Sequence, residues 1–203
     1  LGFRRNGLQI VNTDTLEIFT PPDPILQQLE VTKILHSFGT ETWIASFNRG
    51  LYKLKDNEVV SYLSNGKLPE TSITILYKTD SGEIIASSEH NIYRYDETKD
   101  QFNRLKLNFG GLAKVPLILS ISQSPDGDIW IGTKDQGLFI WRKSNQISGQ
   151  FDLENITKHS DFVLSTLYAS QFDDDDYGWG STQYGIVKFD SKGRILARFV
   201  VSD

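Results

Sequence analysis

The 203 residues include no cysteine and no methionine. Without cysteine there can be no disulfide, no thiolate metal site and no cysteine nucleophile. Basic residues are scattered, and no cluster exceeds the adjacent pair Arg4 and Arg5. Net charge is −5. Nucleic acid calls for a concentrated positive stripe and anionic lipid for a polybasic patch, so neither is an expected partner. Long apolar runs are also missing. The longest, around Val115–Ile121, is interrupted by Pro116 and Ser120 and falls far short of the roughly 20 residues of a membrane span. No direct membrane insertion is expected of this region. The only histidines are His36, His90 and His159, without metal spacing and without a His-Glu-x-x-His pattern. Neither a Gly-x-Ser-x-Gly elbow nor a Gly-rich phosphate loop is present. Hence no catalytic constellation, no metal and no cofactor are expected. What is there is ample core material: 38% hydrophobic and 12% aromatic residues exclude a disordered chain.

That material is organised as a repeat. Trp43-Ile44-Ala45-Ser46 leads to Gly50-Leu51-Tyr52, Trp130-Ile131-Gly132-Thr133 to Gly137-Leu138-Phe139, and Trp179-Gly180-Ser181-Thr182 to Gly185-Ile186-Val187. A weaker copy runs Ile85-Ala86-Ser87-Ser88 to Asn91-Ile92-Tyr93, and a beheaded one opens the chain before Gly7-Leu8. A second column, Ile34, Leu76, Ile121 and Leu167, keeps the same period, and three residues after each come Ser37, Thr79, Ser124 and Ser170. A period of some 40–50 residues built from short alternating strands is the signature of propeller blades.

Each unit reads as four short strands A to D, illustrated by Ile73–Thr79, Glu83–Ser88, Ile92–Asp96 and Gln101–Leu107. Turns this short join antiparallel neighbours, since a parallel crossover takes a dozen or more residues. One four-stranded sheet cannot bury both faces, but stacked sheets can. The expected fold is therefore all-β, a β-propeller built of four-stranded antiparallel blades. About five blades are expected, at 1–20 (partial), 31–63, 73–107, 117–151 and 163–200. The tryptophan columns read as packing between blades. The chain opens Leu-Gly-Phe, without Met or a secretory pattern, and its first residues already read as strand B. It is expected to be part of a larger propeller, so missing targeting signals decide nothing about location.

Residues Asp126-Gly127-Asp128-Ile129-Trp130-Ile131-Gly132-Thr133 with Gly137-Leu138-Phe139, and the linker Asn65-Gly66-Lys67-Leu68-Pro69, carry a family resemblance. The units resemble the two-component regulator propeller repeat. The resemblance is uneven: the Ile85 unit lacks Trp and Gly, and only Gly178 precedes Trp179, which suggests a shortened strand. It implies a non-enzymatic sensory or ligand-binding propeller of a bacterial membrane signalling protein. The attached output would be a histidine kinase or a diguanylate cyclase. It further implies a periplasmic location, a small-molecule or oligosaccharide signal, and a homodimer formed through the full-length protein. An interaction scaffold and a propeller lyase or glycosidase are the alternatives.

In a meander, the B-to-C turns and the D-to-A linkers emerge on one face. The linkers are the long connections, 21–29, 65–72, 108–116 and 154–161, and long loops on a rigid scaffold are where binding surfaces sit. Polar and aromatic groups mixed on that face suit a sugar or peptide. The ligand-binding candidates are Arg5, Arg49, His90, Lys134, Gln136, Gln183 and Tyr184. On the opposite face, Asp173–Asp176 followed by Tyr177-Gly178 has the composition of a calcium loop. But Tyr177 fills a ligand slot and Tyr184 stands where a glutamate is needed, so a solvated A-to-B turn is expected. The hydroxyl column Ser37, Thr79, Ser124 and Ser170 is expected to tie strand ends to the turns that follow.

Overall fold

The computed structural model describes residues 1–3, 7–37, 39–147, 150–159 and 166–200. Strands dominate. Two antiparallel pairs open the chain, β1 (Gly2–Phe3) with β2 (Gly7–Leu8) and β3 (Ile10–Val11) with β4 (Ile18–Phe19). A four-stranded antiparallel meander follows: β5 (Val31–His36), β6 (Thr42–Ser46), β7 (Gly50–Lys55) and β8 (Glu58–Ser61). The next is β9 (Ile75–Lys78), β10 (Ile84–Ser87), β11 (Ile92–Asp96) and β12 (Gln101–Arg104). The third sheet has five strands: β13 (Lys106–Asn108), β14 (Ile118–Gln123), β15 (Ile129–Thr133), β16 (Gly137–Ile147) and β17 (Gln150–Asn155). The last is β18 (Leu167–Phe172), β19 (Gly178–Thr182), β20 (Gly185–Phe189) and β21 (Ile195–Val200). Two short 3-10 turns, Pro24–Gln28 and Ile156–His159, are the helical segments among the described residues. The chain forms two compact units, Leu1–Arg104 and Leu105–Asp203.

Each sheet is a propeller blade, and strand alternation determines what each residue covers. In β6, Trp43 and Ala45 face the blade that follows, joining Tyr93 and Phe102 in one core. Ile44 faces back, with Leu8, Leu26 and Tyr52. In the second unit Trp130, Leu138 and Ile140 meet Leu167, Val187 and Phe189 of the last blade. Trp43 and Trp130 are fully buried, edge-on to aromatic rings of the following blade. Truncating a buried tryptophan of this kind costs about 3–5 kcal/mol. Small residues in the second strand allow the blades to approach. A Cβ on Gly132 would stand 2.8 Å from the Leu167 carbonyl oxygen of the next blade.

The first unit holds a polar hub at its blade interface. Asp100, in the turn between β11 and β12, accepts hydrogen bonds from the Tyr62 hydroxyl (2.5 Å), the Tyr95 hydroxyl (2.7 Å) and Lys53 Nζ (3.0 Å). Lys67 Nζ completes the set. Lys53 also lies over the rings of Trp43, Tyr62 and Tyr95, 5.3–5.6 Å from their centroids. Burial alone would raise the Asp100 pKa, but its four donors hold the carboxyl well below the usual carboxylate range. Burial would likewise lower Lys53, yet its bonds to Asp100 and Tyr95 keep it above an ordinary lysine. Burial and the bond to Asp100 push the Tyr62 phenol far up.

The structure departs from the sequence reading in four places. Strand D of the second blade ends at Arg104, and Lys106–Asn108 pairs in parallel with β17 of the blade that follows. The parallel pair arises because the linker hugs the outer edge of the next blade before turning in. Strand β19 is not shortened; like β6 and β15 it begins one residue before its tryptophan and spans five. Trp179 is only half-buried, unlike Trp43 and Trp130. Finally, the hydroxyl column holds at Thr79 and Ser124, whose Oγ atoms accept from the amides of Glu83 and Asp128. It fails at Ser170, whose hydroxyl meets Ser122 instead, 2.8 Å away.

Candidate functional face

In the first B-to-C turn, Ser46 Oγ accepts from the amides of Asn48 (3.3 Å) and Arg49 (3.2 Å). Asn48 then bridges to the preceding linker, donating to the Gln28 carbonyl (3.2 Å) and accepting from the Glu30 amide (3.0 Å). Arg49 is half-buried, with Nη2 donating to Gln28 Oε1 at 3.1 Å. Gly50 closes the turn at φ +73°, where a side chain is strained. Its amide donates to the Thr71 carbonyl (2.7 Å), and a Cβ there would lie 2.7 Å from the Glu70 carbonyl oxygen. The 62–72 linker therefore crosses directly over the Arg49 turn.

That crossing delivers Glu70, which sequence reasoning missed. Its Oε1 accepts from Asn91 Nδ2 (2.8 Å) and from the Tyr93 hydroxyl (2.6 Å). Both donors belong to the next blade, and Asn91 adjoins His90, which is exposed in that blade's B-to-C turn. Burial and the bond to Glu70 push the Tyr93 phenol well above its ordinary range. One face of the first unit thus presents a guanidinium, a carboxylate, an imidazole and a carboxamide, braced from beneath by a buried tyrosine. The linker position of Glu70 was the available signal, but its orientation depends on donors more than twenty residues ahead.

The remaining candidates lie in the second unit. Lys134 and Gln136 are exposed in the turn between β15 and β16. The Lys134 amide donates to the Leu117 carbonyl (2.9 Å), and Asn155 Nδ2 donates to the Gln136 carbonyl (3.0 Å). Gln183 and Tyr184 are exposed in the turn between β19 and β20, with the Tyr184 amide donating to Thr182 Oγ1 (3.1 Å). Arg5 lies outside the described residues. The candidates therefore divide between two compact bodies, Arg49 and His90 in one, Lys134, Gln136, Gln183 and Tyr184 in the other.

On the opposite face the acidic run is a turn held by its own first residue. Asp173 Oδ1 accepts from the amides of Asp175 (3.1 Å) and Tyr177 (2.8 Å), and Oδ2 accepts from Trp179 Nε1 (2.6 Å). The Trp179 hydrogen bond, with the backbone bonds, holds the Asp173 carboxyl below its usual value. Asp173 thus does the work of Thr79 and Ser124, and this is why Ser170 does not. Among the described residues no group of three or more histidines and carboxylates is placed to hold a metal ion. His36 lies on β5 with Nδ1 2.9 Å from Thr42 Oγ1.

Residues 114–135 match the family model described as two component regulator propeller. This segment is similar to the two component regulator propeller repeat. An extracellular domain assigned to a hybrid two component system of B. thetaiotaomicron shares 19% identity at a TM-score of 0.71, over 98% of this chain and 26% of that one. The extracellular domain of a one component system from the same organism reaches 0.76 at 17% identity, over 99% and 26%. Virginiamycin B lyase of Staphylococcus aureus gives 0.71 at 15%, over 98% and 64%. The chain thus spans about a quarter of the two B. thetaiotaomicron domains. No curated protein sequence matches it. At these identities the likeness establishes the β-propeller fold.

Proposed function

We propose that this chain is part of the sensory, ligand-binding propeller of a bacterial membrane signalling protein, lying in the periplasm. The observation that carries the reading is the Arg49–Glu70–His90–Asn91 face. Arg49 is held by Gln28 of the preceding linker and Glu70 by Asn91 and Tyr93 of the next blade, on the side of the repeat where turns and linkers gather. Arg49 and His90 are the proposed contacts in the first unit, Lys134, Gln136, Gln183 and Tyr184 are those proposed in the second, and Arg5 is a candidate by its place in the repeat. The ligand is a small molecule rich in hydroxyl groups, an oligosaccharide above all, which an alternation of donors and acceptors suits. Support comes from the repeat itself and from the extracellular domains whose fold it shares. The reading is non-enzymatic. One oxygen of Glu70 is already engaged by two donors and holds a turn, which is positioning, not proton transfer.

Calorimetric titration of the polypeptide with neutral and uronate-containing oligosaccharides tests this. Binding should weaken about tenfold or more, on the order of 1.4 kcal/mol, in Arg49→Ala and Glu70→Ala. It should be unchanged in Asp80→Ala, in the opposite turns. Loss in Asp80→Ala with retention in Arg49→Ala would refute the face. Turnover of a bound sugar would refute the non-enzymatic reading.

A further inference from the structure

Arg49 donates to Gln28, Arg94 pairs with Glu83, Arg142 with Asp128 and Glu154, and Arg194 with Asp190. Arg104 differs. The last residue of β12, it is exposed and has neither a hydrogen bond nor an ion pair among the described residues. Its partner across the sheet is Tyr93. Residues directly opposite in an antiparallel pair stand on one face, with Cβ atoms about 5 Å apart. Tyr93 is also the residue whose hydroxyl holds Glu70. Arg104 therefore stands at the end of its strand nearest the B-to-C turn, beside the carboxylate that the 62–72 linker delivers.

Glu70 and Arg104 converge on one phenol without pairing with each other. Burial and the bond to Glu70 push the Tyr93 phenol up, and the Arg104 charge pulls it back through space. The hydrogen bonds of the site are unevenly spent. Both donors to Glu70 reach Oε1, which leaves Oε2 without a partner among the described residues. Asn91 commits its Nδ2 to Glu70, and its Oδ1 accepts from no described group. A carboxylate oxygen and a carboxamide oxygen can only accept, and a guanidinium can only donate. Two open acceptors thus lie beside one open, charged set of donors.

We infer that Arg104 is a specificity-determining residue of this face and selects an acidic saccharide, a uronate. The inference rests on the saccharide-sensing reading above and narrows it. Neighbouring ring hydroxyls donate to Glu70 Oε2 and Asn91 Oδ1. The uronate carboxylate pairs with the Arg104 guanidinium, whose planar donors match it in a bidentate fork. A neutral sugar satisfies the two acceptors but leaves the cation without a counter-charge. An anion without hydroxyls pairs with the cation but leaves both acceptors unmet.

Calorimetric titration of the full polypeptide with a panel of uronic acid oligosaccharides, and with the same compounds as methyl esters, isolates the charge. The acids should bind about tenfold tighter than the esters. Arg104→Gln should bring the two to near parity, and Arg104→Lys should keep part of the preference. Arg94→Gln, which removes the paired arginine of the same blade, should leave the preference unchanged. Equal binding of acid and ester, or a preference that survives Arg104→Gln, would overturn the inference and leave the sensory reading standing. Binding of neither would sink both. Phenylglyoxal modification, read by peptide mass spectrometry, reports on the residue itself. Arg104 should react faster than the paired Arg142, and the acid should protect it where the ester does not. An Arg104 as slow as Arg142, or equally protected by the ester, would contradict the inference.

Discussion

Changing Asp100 to Asn removes one negative charge from the centre of four donors and leaves the side chain nearly the same shape. Asparagine is the apt replacement because Asp100 sits at φ +47°, a conformation that Asn tolerates and most residues do not. Breaking a buried ion pair by removing one partner costs about 3–5 kcal/mol. The Asp100 side chain is 38% exposed, and Asn retains a neutral acceptor, so the expected loss falls to about 2 kcal/mol. Tyr62→Phe, which deletes one donor from a buried site, should cost about 1 kcal/mol. The two changes share an interaction, so the double variant should lose less than their sum. Urea unfolding at neutral pH, with amide exchange in β7 and β11 as the local readout, measures all three. The pH dependence supplies a second check. The folded-state pKa of Asp100 is depressed, so its contribution is present above the unfolded value of about 3.9 and is lost as pH falls through the folded value. Lys53 is raised, so its contribution is present below about 10.4 and is lost as pH rises through its folded value. Asp100→Asn should flatten both limbs. A loss below about 0.5 kcal/mol, the size of an ordinary surface change, or strict additivity with Tyr62→Phe would refute the hub as an interlocked set.

Other outcomes follow from the same geometry. Gly50→Ala should destabilise the first unit by about 1–2 kcal/mol or more, from φ strain and the clash with the Glu70 carbonyl, as seen in thermal melts. Trp130→Ala should cost about 3–5 kcal/mol by opening the interface in the second unit, whereas Trp179→Ala should cost much less where its face is uncovered. Acidification through the depressed Asp173 pKa should shift the Trp179 emission by breaking the Nε1 bond. Asp173→Asn should remove that transition.

Much of this was readable from the residues. Trp43 and Trp130 recur with small neighbours, and a large ring beside small side chains has one physical use in stacked sheets. The column of Ser and Thr failed at Ser170 because the function of the position is to accept an amide four residues on. A carboxylate does that as well as a hydroxyl, so Asp173 answers the requirement from three positions later. Leu107 was assigned to the wrong sheet because period-two alternation fixes which face a residue takes, not which neighbour its backbone pairs with. Glu70 could not be read at all. Its role comes from Asn91 and Tyr93, and nothing local to Leu68-Pro69-Glu70 records where those donors will be. The turn residues Arg49 and His90 were legible as polar groups, but the brace of Arg49 against Gln28 and the bond from Asn91, beside His90, to Glu70 were not.

The short parallel strand β13 has a bearing on how such chains could be recombined. Residues 106–108 cover the outer edge of the blade they precede, and Asn108 Nδ2 holds Asp152 Oδ1 at 2.8 Å. A crossover placed in the visible loop at 109–117 would strand that cover on the wrong neighbour and expose the β17 backbone to edge-to-edge pairing with another molecule. A crossover between Arg104 and Leu105 would move the blade together with its own edge guard. The exchangeable module therefore begins inside what looks like the tail of its predecessor, and a graft cut there should stay monomeric where the conventional cut aggregates.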